Sequence, residues 1–254
     1  LAVGHYHASQ YTAAGELFAL SLQSARDVGD VGSMATNSVN LGAVRFHLGD
    51  PGGAAEHYQR AAKLARRAGR ISTDVQARSN LARLHIYLGL YERARKEIEE
   101  ALRDAEAAGL KHLQAQLIGA MGDLAARTGE PEAALERYNE TIERYRELGQ
   151  DREVAEAHLD AVEALLGFET PEAASRASER LELARKQIDR EGLEDFRARL
   201  QLLEARLRIA NGDAVGATSQ LETALATARN AGDRDVEWVV LTALGSAYEV
   251  QEAG

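Results

Sequence analysis

The chain has 254 residues, 45% hydrophobic and 28% charged, with 22 glycines, 3 prolines and no cysteine. The missing cysteine excludes a disulfide framework, a thiolate metal site and a cysteine nucleophile, and the apolar fraction is too high for a disordered chain. The net charge of −10 argues against direct nucleic-acid binding, whose nonspecific affinity comes mostly from phosphate neutralisation. No apolar run approaches the roughly 18–20 residues that span a bilayer, so no membrane association is expected and a cytoplasmic location fits.

Ala, Leu, Glu and Arg dominate, and all are strong helix formers. The many glycines then need an explanation, and their spacing supplies one. Gly29, Gly49, Gly69, Gly89, Gly109, Gly129 and Gly149 stand twenty residues apart. The next rung is Glu169, with Gly167 close by, and the series resumes, shifted by three, at Gly192, Gly212 and Gly232. Each glycine closes a stretch with helical apolar periodicity, where a left-handed backbone favours glycine. Pro51, Pro131 and Pro171 follow rungs by two residues, at the first turn of the next helix, where the missing N–H costs nothing.

In chain order this predicts a truncated first unit at 1–30, complete helix pairs at about 31–70, 71–110, 111–150, 151–193 and 194–233, and a lone first helix within 234–254. The interior of the pair repeats as well. Ala14, Ala54, Ala94, Ala134, Ala174 and Ala217 share one place early in the second helix. Four residues on come Phe18, Tyr58, Ile98, Tyr138, Ser178 and Leu221. In the first helix, Leu41-Gly42, Leu81-Ala82 and Met121-Gly122 repeat a large–small pair. Large residues facing small ones at helical spacing is how stacked helix pairs interlock. The unit at 151–193 departs most, with Ala161 for Leu and Glu169 for Gly, and Glu204 stands where the following unit expects Leu. A longer second helix between Ala174 and Gly192, and a local change of curvature near 165–205, are expected there.

This pattern resembles the tetratricopeptide repeat, most clearly from Asn40 to Gly69, NLGAVRFHLGDPGGAAEHYQRAAKLARRAG. The unit is about 40 residues long instead of 34, similar to the longer variety in kinesin light chains and in the sensor arms of bacterial signalling ATPases and transcription regulators. The resemblance implies an all-α, right-handed superhelical solenoid of antiparallel helix pairs, with about five complete repeats and partial repeats at both ends. The whole chain would be one such domain and a fragment of a larger protein.

Catalytic signatures are missing. The glycine-rich LGDPGGAAEH lacks the lysine of a phosphate loop and reads as an inter-helix turn. There is no HExxH, no pair of histidines at i,i+4 and no GxSxG elbow, so no catalytic residue, metal or cofactor is expected. The resemblance instead places a protein or peptide ligand in a groove lined by the first helices. Its paired asparagines match Asn40 and Asn80, whose amides offer donor and acceptor to a peptide backbone. A second stripe, seven residues on, holds His7, His47, Tyr87 and Arg127, flanked by Phe46, Arg83 and Asp123. Arg83 and Arg127 would engage carboxylates, while His47 and Tyr87 would stack or hydrogen-bond. At the other end Trp238, Leu241 and Tyr248 lie on a helix with no partner after it. They reflect either a chain cut from a longer one or a self-association surface. The function expected is a non-catalytic protein- or peptide-binding scaffold, the regulatory or sensor region of a larger bacterial signalling or transcription-regulatory protein. The alternative is an oligomerisation or adaptor domain attached to an enzyme.

Overall fold

The computed structural model describes residues 1–252, apart from the side chains of His7 and of residues 249–252. Among the described residues there are thirteen α-helices, one 3-10 turn and no strand. The chain divides into two compact units, 1–124 and 125–254.

The first unit holds α1 (Ala2–His7), α2 (Tyr11–Asp27), α3 (Val31–His47), α4 (Pro51–Arg67), α5 (Ile71–Tyr87), α6 (Tyr91–Ala107) and most of α7 (Lys111–Arg127). Helices α2 to α7 are all 17 residues long. Their ends explain the uniformity. After α3 the Gly49 N–H donates to the Phe46 carbonyl at 3.0 Å and the Asp50 N–H to the Arg45 carbonyl at 2.9 Å. This double bond pattern requires a left-handed residue between them, and Gly49 has φ 76°. Asp50 then begins α4 by accepting from the Gly53 N–H at 2.8 Å, with Pro51 in the first turn. One short connection thus ends one helix, caps the next and fixes the turn.

All ten glycines of the series have φ between 64° and 83°. Among the described residues two that are not glycine share that conformation, Ser9 at 53° and Glu169 at 52°. Both sit on rungs of the twenty-residue spacing. Gly167, at φ −71°, does not take over from Glu169; the left-handed turn stays at the rung and Glu169 bears the strain.

The rows of small and large residues interlock as their spacing implies. The six alanines are at most 7% exposed. In the α3–α4 pair, a Cβ placed on Gly42 would lie 2.5 Å from Tyr58 Cε1, so only glycine admits the ring at this depth. The core of α5, α6 and α7 is built from Val75, Ala82, Ile98, Ala101, Leu117 and Leu124. A charged group enters it too: buried Arg78 pairs with Asp74 at 3.3 Å and with Asp104, and Asp74 also accepts from Arg66 at 3.1 Å. Because α3 also touches α5, the first helices of successive pairs share one face.

The second unit contains the end of α7, then α8 (Pro131–Glu147), α9 (Asp151–Leu166), α10 (Pro171–Glu191), a 3-10 turn at Glu194–Phe196, α11 (Arg197–Ala210), α12 (Ala214–Ala231) and α13 (Arg234–Glu252). Its first helices also adjoin, α9 to α11 and α11 to α13. Helix α10 has 21 residues and shifts its buried row. Ala177, Leu181, Ala184 and Ile188 are buried, whereas Ser178, which the repeat spacing puts on the Phe18 and Tyr58 rung, is exposed. Serine has little apolar area to bury, so the helix turns by one residue and buries Ala177 and Ile188 instead.

Candidate functional site

The first-helix face of the first unit carries a cleft of about 350 Å³. Val3 and Tyr6 come from α1, Asn40 and Ala43 from α3, and Gln76 and Asn80 from α5. Asn40 and Asn80 therefore line one cavity, because they hold the same position in successive pairs and those helices are neighbours. The Gln76 Nε2 donates to Asn80 Oδ1 at 3.1 Å, one turn apart on α5, which turns the amide nitrogen of Asn80 away from Gln76. Gln76 and Tyr6 are cleft residues that the spacing argument did not single out. Gln76 was recoverable, since it lies four residues before Asn80 on the same helical stripe.

A cluster of rings adjoins this cleft through Tyr6. His47 stacks on Tyr11 with centroids 4.4 Å apart and planes inclined by 10°, and Tyr6 meets His47 edge-on at 5.5 Å. Phe46 meets Tyr87 edge-on at 5.2 Å. Phe46, His47 and Tyr87 are thus brought together as their register implies. Tyr6, on the register of Phe46, and Tyr11, the first residue of α2, join them from the first two helices. Arg83 stands one turn before Tyr87, and its Nε lies 3.6 Å from Asp123 Oδ2 on α7. These two site residues face each other, so a ligand carboxylate at Arg83 would compete with Asp123. Arg127 is exposed at the end of α7 and belongs to the second unit.

The same register in the second unit is occupied differently. Asp160 holds the place of Asn40 and Asn80, and Arg199 of α11 donates to it at 2.7 Å. Arg199 also donates to Glu163 at 3.0 Å, and Arg206 lies 3.6 Å from Glu163. Glu204, in the place of a leucine, accepts from Arg185 of α10 at 2.7 Å and from Gln220 of α12 at 2.5 Å. A second cleft, of about 460 Å³, opens beside this group between α10 and α11, with Glu179, Glu182, Arg185, Glu204 and Arg208 among its walls. Its arginines are already paired: Arg185 with Glu182 and Glu204, and Arg208 with Asp213 at 2.7 Å. Deeper in, His158 is 2% exposed. Burial, aided by Arg180 and Arg146, lowers its pKa to about 4. The nearest of these, Arg180, has its Nη1 3.5 Å from His158 Nδ1 and donates through Nη2 to Asn139 Oδ1 at 2.6 Å.

On α13, Trp238 is 72% exposed, and Leu241 and Tyr248 are exposed as well. Trp238 and Leu241 hold the register of Ala35 and Ser38, which α3 buries completely. The Tyr248 hydroxyl donates to Glu222 at 3.0 Å. Among the described residues, no group of His, Asp and Glu side chains converges to hold a metal ion, and no helix is long and apolar enough to cross a membrane.

Helix pairs joined by left-handed turns, with a cleft on the first-helix face, define a helical-repeat scaffold. Residues 74–147 match the tetratricopeptide repeat family model, and the helix pairs on either side of this stretch have the same construction. No curated protein matches the chain in sequence. Several solved structures match in fold. A Rap protein complexed with competence and sporulation factor has a TM-score of 0.69 at 12% identity, covering 98% of this chain and 73% of its own. Aspartyl phosphate phosphatase F from Bacillus subtilis gives 0.69 at 14%, covering 99% and 70%. The apo form of RapI gives 0.65 at 13%, covering 100% and 97%. At these identities the likeness is one of fold.

Proposed function

We propose that this chain is a non-catalytic scaffold that binds an extended protein or peptide segment in the cleft of its first unit, with Asn40 and Asn80 holding the segment's backbone. The observation that carries this reading is that both amides line one cleft on neighbouring first helices. A primary amide pairs with a peptide group whatever the side chains, and two of them one helix apart suit an extended chain. A Rap protein of the same fold is complexed with competence and sporulation factor, which fits a repeat whose function is to receive a partner. In this reading the two units belong to one repeat domain, within the regulatory or sensor region of a larger bacterial signalling or transcription-regulatory protein acting in the cytoplasm. Trp238, Leu241 and Tyr248 favour a second reading, in which α13 makes a self-association contact and the chain serves as an oligomerisation or adaptor domain.

The test is to select peptides on the full chain by display and measure their affinity for wild type and for Asn40→Ala with Asn80→Ala. Two lost amide contacts of about 1 kcal/mol each predict at least a tenfold weakening. Unchanged affinity would sink the amide-clamp reading.

A further inference from the structure

We propose that the ring cluster of Tyr6, Tyr11, Phe46, His47 and Tyr87 is a subsite for a cationic side chain, arginine or lysine, of the segment bound in the adjoining cleft. This rests on the reading that the cleft takes an extended segment. The continuity is direct, since Tyr6 lines the cleft and also meets His47 in the cluster. A side chain leaving a backbone held at Asn40 and Asn80 passes along α3 and α5 towards their C-termini, where the rings stand.

Three observations select a cation. The first is the rings themselves: Phe46 and Tyr87 meet edge-on, which occupies one face of only one of the two rings, and Tyr87 is 67% exposed. Such faces attract a guanidinium or ammonium group. The second is helix polarity. His47 is the last residue of α3 and Tyr87 the last residue of α5, so Phe46, His47 and Tyr87 lie at two helix C-termini, which carry partial negative charge, while Tyr11 stands at the start of α2. An anion would meet that charge unfavourably, and an aliphatic side chain would gain nothing from it. The third is the balance of neighbouring charges. Arg83 is paired with Asp123, and Arg45 lies 3.6 Å from Asp50, so these two arginines of α5 and α3 already have carboxylates beside them. The chain as a whole carries a net charge of −10, which favours encounter with a positive ligand. The subsite thus selects the sign opposite to the one that Arg83 suggests by itself.

The experiment uses the full chain and four probes, N-acetylarginine amide and three peptides N-acetyl-Ala-Ala-Xaa-Ala-Ala-amide with Xaa arginine, leucine or glutamate, followed by NMR of the aromatic and side-chain amide resonances. The arginine peptide is expected to shift Phe46 and Tyr87 saturably and to bind about two- to fivefold more tightly than the leucine peptide, with the glutamate peptide weakest. Tyr87→Ala, at an exposed position, should remove that preference, and Tyr87→Phe should keep it because the ring face is retained. Equal binding of the arginine and leucine peptides, or a preference that survives Tyr87→Ala, overturns the subsite. The two readings fail separately. If all three peptides shift the Asn40 and Asn80 amides alike and none moves the rings, the cleft stands and the subsite falls. If N-acetylarginine amide moves the rings while no peptide moves the asparagines, the subsite stands and the backbone clamp falls.

Discussion

The two units use one repeat register in different ways. In the first, helices α2 to α7 share a length of 17 residues, and the face built from first helices presents amides and rings. In the second, α9 to α13 run to 16, 21, 14, 18 and 19 residues. The corresponding face there is spanned by Arg199 bonded to Asp160 and Glu163, and by Arg206 near Glu163. Where the spacing is constant, small residues such as Gly42 let neighbouring helices interlock by shape, and the Arg83–Asp123 pair bridges α5 and α7 while Asn40 and Asn80 line the cleft. Where the spacing drifts, charged side chains long enough to span the gap make the connection, and each arginine so used is withdrawn from ligand binding. Regular spacing and a face of amides and rings therefore occur together in the first unit.

The largest expected effect that could break this contrast concerns His158 in the second unit. Its imidazole is kept neutral in the fold, so the unfolded chain takes up the proton first as pH drops below 6.5. The stability it supports is complete above that pH and is lost as pH approaches its folded pKa of about 4, a change of about 3 kcal/mol. Urea unfolding of the wild type at pH 7, 6 and 5 should lose stability more steeply than that of His158→Leu; parallel pH dependences would show that His158 is not the acid-sensitive element of the second unit.

A smaller effect separates two glycines of equal register. Gly42→Ala drives a methyl into the Tyr58 ring and should destabilise by about 2 kcal/mol. Gly245→Ala meets no atom within 4 Å, because no helix follows to cover α13 among the described residues. It should be neutral or stabilise by up to about 1 kcal/mol through helix propensity. Thermal melts of the two variants check this, and equal effects would remove the interlocking argument.

The smallest effect sharpens the account of the drift. Glu169 holds the left-handed position that glycine holds at ten other rungs. Glu169→Gly should therefore raise stability by about 1 kcal/mol, the usual cost of that conformation for a residue with a Cβ. Chemical denaturation measures it, and a destabilised variant would mean that the Glu169 side chain contributes more than its backbone strain costs.

The helix pairs were legible in the sequence because each turn demands one residue type at one place. A left-handed position selects glycine, a first turn tolerates proline, and a close helix approach admits only a small residue. Even the exceptions respect the spacing, since Ser9 and Glu169 adopt the turn without the favoured residue. The candidate site was legible in part. Asn40 and Asn80 could be paired by register, and so could Phe46, His47 and Tyr87. Tyr6, forty residues before Phe46, was recoverable in the same way, whereas the stacking of Tyr11 on His47 was not, because it depends on how the start of α2 meets the end of α3. The pairing of Arg83 with Asp123 was also hidden, since spacing assigns a residue to a face without saying which neighbour it meets there.

Local backbone chemistry, repeated every twenty residues, thus determined from sequence alone the helices, their pairing and the rows of small and large side chains. Tertiary structure decided which polar side chains are used up by one another. That depends on distances of a few ångströms between residues some forty positions apart, such as Asp160 and Arg199 at 2.7 Å. A charged side chain on such a face can hold two helices together or stay exposed, and only the packing of those helices chooses between the two.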